Sequence, residues 1–190
     1  MATYIEDKSY NNITGEDLTI GGTEFDNCTF TNCDLSNTNF SLAKFIDCRF
    51  VNCNLSMVKL GGTLFRDVEF IGCKMLGLLF YDCNKLGLAV RFDNCTLNHS
   101  SFYQTKIKKT IFKNSQLQEV DWTDCDLAGS VFDHCDLLNA KFENTSIENV
   151  DFRTATNYSI DLDKNPFKKA RFSLKGVAGL LDKYDIKIED

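Results

Sequence analysis

Large apolar residues recur at every fifth position along most of the chain. They run Phe25, Phe30, Leu35, Phe40, Phe45, Phe50, Leu55, Leu60, Phe65, Phe70, Met75 and Phe80. The series resumes at Phe92, Leu97, Phe102, Ile107, Phe112, Leu117, Trp122, Leu127, Phe132, Leu137, Phe142, Ile147 and Phe152, then loosens through Leu162, Phe167 and Phe172. Two positions before each stands a small or β-branched residue, as in Cys33-Asp34-Leu35, Cys125-Asp126-Leu127 and Ala140-Lys141-Phe142. Neither a helical period of 3.6 nor plain alternation sustains a spacing of five. A square coil does. If five residues form each side, twenty complete a turn, with the large residue and the small one before it pointing inward.

The spacing therefore predicts an all-β fold, a right-handed quadrilateral parallel β-helix. Successive coils would stack at ~4.8 Å, the distance between paired strands. Residues 1–12 are expected to form an N-terminal cap and 13–172 a β-helix of about eight coils, roughly 38 Å long at that spacing. Two register faults interrupt it. Leu18 to Phe25 is seven residues, through Gly21-Gly22; Phe80 to Phe92 is twelve, with Lys85 where an apolar residue is due. The second marks a shift near 81–91, which Gly87 would help a bulge absorb.

After Phe172 the period stops. Ser173 is a good N-cap, and Leu174, Val177, Leu181 and Tyr184 recur at helical spacing with Leu180. Residues 173–190 are thus expected to form a short α-helix, then a strand through Ile186 and Ile188. This element would cap the open end of the solenoid. Its apolar residues Leu174, Val177, Leu180, Leu181 and Tyr184 could also meet their copies in a homodimer.

Composition sharpens the picture at three points. Apolar and charged residues make up 43% and 25%, as in ordinary globular chains, but 16 Phe, 9 Cys and one Pro mark systematic positional use. A net charge of −6 argues against direct contact with nucleic acid or an anionic membrane. No basic-then-apolar stretch opens residues 1–10 and no apolar run reaches membrane-spanning length, so the expected location is cytoplasmic, where thiols stay reduced.

All nine cysteines occupy the small inward slot, and Cys33, Cys53, Cys73 and Cys95 fall in one column. Thiols held ~4.8 Å apart on parallel walls suit neither a disulfide nor tetrahedral zinc. They read as core packing. His99 and His134 lie two residues after central positions, face outward, and sit on different sides. No nucleophile accompanies them, and there is no phosphate loop or dinucleotide fingerprint. The sequence predicts a non-enzymatic protein with no catalytic, cofactor or metal residues.

Charge is unevenly placed. Residues 119–163 hold eleven acids against Lys141 and Arg153, a segment charge of −9, all at outward positions. Residues twenty apart share a side. Asp121, Asp124, Glu143, Asp161 and Asp163 therefore cluster on one wall, and with Asp126 they are the candidate partner-binding residues of an acidic wall. Spread along ~11 Å of rod, this is about one net charge per 1.2 Å, of the order of the ~1.7 Å of duplex DNA. Solvation of a rod is one use for such a belt. Imitation of DNA before a basic protein groove is the other.

The repeat, a small residue, Asp or Asn, Leu or Phe, then two variable positions, resembles the pentapeptide repeat family. Leu86-Gly87-Leu88-Ala89-Val90 and Gly179-Leu180-Leu181-Asp182-Lys183-Tyr184-Asp185-Ile186 look like segments of its Qnr- and MfpA-type members, which bind DNA gyrase. The resemblance implies end-to-end dimers through the C-terminal module and an acidic rod acting as a DNA mimic. It also implies a partner in DNA gyrase or topoisomerase IV, which the protein would modulate or protect, with an effect on quinolone susceptibility. Qnr proteins carry two projecting loops, whereas this repeat has no long insertion from Phe25 to Phe152. The likeness is closer to loop-free relatives. A general interaction scaffold, with incidental acidity, is the alternative.

Overall fold

The computed structural model describes residues 3–189. Four flat walls enclose a core of side chains, and every strand pairing is parallel with its partner about one coil away. On the first wall, Tyr4–Glu6, Glu24–Asp26, Lys44–Ile46 and Leu64–Arg66 form a four-stranded sheet. On the second, seven strands from Ser9–Asn11 to Val131–Asp133 stack in register. Isolated bridges such as Asp34↔Asn54 and Asp121↔Lys141 continue the ladder on the other two walls. The quadrilateral parallel β-helix expected from the period is the fold.

The register explains the period physically. Phe25, Phe45 and Phe65 are Cα partners down one wall, so each ring lies on the ring of the coil before. The second wall carries a column of nine rings from Tyr10 to Phe172, whose neighbours are 4.7–5.4 Å apart and inclined by 2–15°. Rings on opposite walls meet edge to face across the core, as Phe112 and Trp122 do at 5.4 Å and 82°. Each buried Phe contributes about 1.5–3 kcal/mol. At the corners the residue two after the central one takes a left-handed φ near +55°. Asn27, Asn32, Asp47, Asn52 and Asn94 fill such corners, the non-glycine residues that tolerate it best.

Three expectations change. Residues 4–11, read as part of a cap, form strands that pair with Glu24–Asp26 and Thr29–Thr31, so the solenoid begins there. The seven-residue fault at Leu18 is no fault: Ile20 is the buried central residue and Leu18 occupies the slot two before it. The C-terminal element is 3-10 rather than α-helix, over Leu174–Leu180 and Asp182–Tyr184, and Ile186 to Ile188 adopt no strand.

Two glycines account for the last change. A Cβ at Gly176 would lie 1.9 Å from the Tyr158 hydroxyl, and one at Gly179 1.9 Å from the Tyr158 carbonyl oxygen. The segment lies against Tyr158 because these positions lack side chains, and two glycines also disfavour an α-helix. The Ser173 hydroxyl accepts from the Gly176 amide at 3.1 Å, and Ile160 donates to the Gly179 carbonyl at 2.9 Å. Leu180 packs on the core, closing that end.

The second register fault is real. The 3-10 turn Phe80–Asp82 leads into a loop from Asn84 to Leu88, in which Gly87 has φ +91°. Lys85 is exposed, the half-buried Leu88 packs against the core, and the first-wall sheet ends at Leu64–Arg66.

Candidate functional site

The acidic belt occupies the lower half of the rod. The backbone bridge between Asp121 and Lys141 stacks consecutive coils of the fourth wall. Below its core column of Trp122 and Phe142, the wall joins the C-terminal segment. Asp121, Asp124, Glu143, Asp161 and Asp163 are all on this wall, none of them in the core, with Asp126 around the corner.

These acids divide by their partners. Asp121 and Asp124 make no ion pair among the described residues; Asp121 accepts from the Thr123 hydroxyl at 2.6 Å and from its amide at 3.0 Å. Glu143 meets Lys141 at 3.3 Å and Asp126 meets Lys108 at 2.9 Å. Lys183 reaches back from the C-terminal segment to both Asp161, at 2.6 Å, and Asp163. Its hydrogen bond holds the Asp161 carboxyl below the usual range, and the two carboxylates together raise the Lys183 ammonium.

The six acids therefore do not form one bare charged face. Four are compensated at close range, and the densest part of the wall doubles as the seat of the C-terminal segment. The signal was the coil period. Lys183 lies twenty residues after Asp163, and the same interval joins Lys44 to Glu24, Arg49 to Glu69, Lys113 to Asp93 and Arg171 to Asp151. A base one coil from an acid stacks beside it.

The five residues expected at a dimer interface do not share one face. Leu174 is 91% exposed and Tyr184 58%, with Val177 also exposed. Leu180 turns inward on the core and Leu181 is half-buried. Phe167, Ile186 and Ile188 are exposed as well.

All nine cysteines are buried and free. In the column, Cys53, Cys73 and Cys95 donate to the carbonyls of Phe30, Phe50 and Phe70 one coil away, at 3.3–3.4 Å. Burial pushes the Cys48, Cys125 and Cys135 thiols up to about 12. His99 and His134 are exposed corner residues with φ +61° and +53°. Among the described residues no three His, Cys, Asp or Glu side chains are grouped as metal ligands, and no helix is long and apolar enough to cross a membrane.

A family model described as a pentapeptide repeat region matches residues 23–89 and 88–152. No curated protein matches the chain. Among solved structures, trypsin-treated QnrB1, a plasmid-mediated fluoroquinolone resistance protein, is similar at 18% identity and a TM-score of 0.46, over 98% of this chain and 100% of that one. HetL, a pentapeptide repeat protein involved in heterocyst differentiation regulation from the cyanobacterium Nostoc sp., aligns at 13% identity and a TM-score of 0.35, over 90% and 88%. A pentapeptide repeat protein from the Arabidopsis thaliana thylakoid lumen aligns at 16% and 0.28, over 70% and 66%.

Proposed function

The chain belongs to the pentapeptide repeat family, and on that footing we propose a non-enzymatic binding rod whose acidic belt takes the place of DNA in a type II topoisomerase, DNA gyrase or topoisomerase IV. The observation that carries this reading is the charge of −9 over residues 119–163, borne on outward positions. A stiff rod keeps such charges at fixed intervals, as the DNA backbone does. Asp121 and Asp124, without ion pairs, are its strongest contacts. Self-association through the exposed apolar end around Leu174, Val177 and Tyr184 belongs to the same proposal, since a two-fold dimer would extend the belt on both sides of its centre.

A second reading has its own support. Asp126, Glu143, Asp161 and Asp163 are paired with lysines, as expected of a scaffold that binds some other protein. A gyrase supercoiling assay with the protein titrated in, with and without a fluoroquinolone, separates the two. Inhibition, or protection against the drug, supports the topoisomerase; no effect at low salt supports the scaffold.

A further inference from the structure

The loop Asn84 to Leu88 opens a gap in the first wall. Elsewhere on that wall residues one before a central position donate their amides to the coil above: Lys44 to Thr23, Leu64 to Ala43 and Asp126 to Thr105, each at 2.9 Å. Lys106 occupies the same position one coil below the loop, and its amide makes no hydrogen bond among the described residues. On the other side of the loop the ladder is also shifted: Ala89, rather than Leu86, donates to the Phe65 carbonyl. The core column is irregular at the same level: Lys85 turns out to solvent, and the half-buried Leu88 packs against the core in its stead.

A cavity of about 400 Å³ fills the gap. Its apolar lining is Phe80, Cys83 and Leu88, with the 83%-exposed Leu86 at one side. Lys85 and Lys106 stand on its border, and neither makes an ion pair among the described residues. On the upper walls Lys44, Arg49 and Lys113 each pair with an acid one coil away. An apolar pocket of this size, with a few convergent polar groups, is the usual form of a small-molecule site.

We infer that this seam binds a small amphipathic carboxylate, its aryl or branched alkyl body on Phe80, Cys83 and Leu88 and its carboxylate between the Lys85 and Lys106 ammonium groups. The open Lys106 amide supplies a further donor. The body would lie beside the half-buried Leu88, at the level where Lys85 leaves the column. Two ammonium groups and an N–H match the acceptor-only chemistry of a carboxylate and leave a neutral amide poorly served. The site is separate from the acidic belt and independent of any topoisomerase.

The test uses the full chain with 4-phenylbutyrate and, as control, 4-phenylbutyramide, followed by calorimetry and by backbone amide shifts. The expected result is 1:1 binding of the carboxylate with a Kd of roughly millimolar or tighter, with the largest shifts at Cys83, Ala89 and Lys106. The amide, and the carboxylate with Lys85→Gln/Lys106→Gln, should each bind at least about tenfold more weakly. Both lysines are exposed, so an unchanged melting curve will show that this variant is folded. Equal binding of acid and amide, full binding by the double variant, shifts centred on the C-terminal end, or no binding would each overturn the assignment.

Discussion

Lys183 holds the Asp161 carboxylate at 2.6 Å from twenty-two residues further along the chain, and Asp163 with it. This contact joins the last coil to the segment that closes the rod. It also sets one positive charge against two carboxylates of this wall. Substitution of Asp161 or Asp163 should therefore be felt in the closing segment, and substitution of Lys183 on the wall.

Lys183→Gln should loosen the closing segment without disturbing the coils above. Hydrogen exchange reads this directly. The Ile160 amide, bonded to the Gly179 carbonyl, should exchange faster, while the Phe112 amide, in the central ladder, should not change. Equal acceleration at both would mean that the contact supports the whole rod.

The same pair sets a pH dependence. The Asp161 carboxyl lies below its ordinary value of 3.8 because Lys183 donates to it. A lowered folded-state value means that the stabilisation is complete above about pH 3.8 and fades as the pH falls through the folded-state value. Acid melts of the wild type should show this loss below pH 4. In Lys183→Gln that part of the acid dependence should be absent.

Core rings differ in what their loss costs. Phe112 is fully buried between Phe92 and Phe132 at 5.1 and 4.9 Å, so Phe112→Ala should destabilise by about 3–5 kcal/mol in denaturant unfolding. Trp122 buries an indole N–H without a partner. Trp122→Phe removes that orphan donor and keeps a ring in the column, so its cost should stay below about 1 kcal/mol.

Leu42 sits at a corner with φ +61° and 70% exposed, a conformation that suits asparagine better. Leu42→Asn should raise stability by up to about 1 kcal/mol. A lower melting temperature would show that packing of Leu42 on the next coil outweighs the backbone term.

Much of this was legible in the sequence because a β-helix repeats one local rule. The five-residue spacing marks the inward Phe and Leu columns, and the cysteines fall in the slot beside them. The first coil was hidden because Gly15 stands where a large residue would announce the third wall. Leu18 masked Ile20 because both are apolar and only one is central. The closing segment was misread because Leu174, Val177 and Leu181 fit a helical period, while the contact of Gly176 and Gly179 with Tyr158 is tertiary. The pairing of Asp163 with Lys183 was readable in principle, twenty residues from acid to base, but it needs the coil to continue past the last visible repeat.

The central claim is that uncompensated carboxylates of the fourth wall stand in for phosphates. Its most direct test is competition between this protein and a duplex for gyrase, read by fluorescence anisotropy of the labelled DNA, with Asp121→Asn/Asp124→Asn as the variant. These two are chosen because neither makes an ion pair and neither touches Lys183, so the closing segment is left alone. The account predicts that wild type displaces DNA at low salt, weakens steeply as salt rises over the range in which exposed charges are screened at ~8–10 Å, and loses most of its displacement in the variant. Undiminished displacement by the variant, displacement indifferent to salt, or none by the wild type would contradict it.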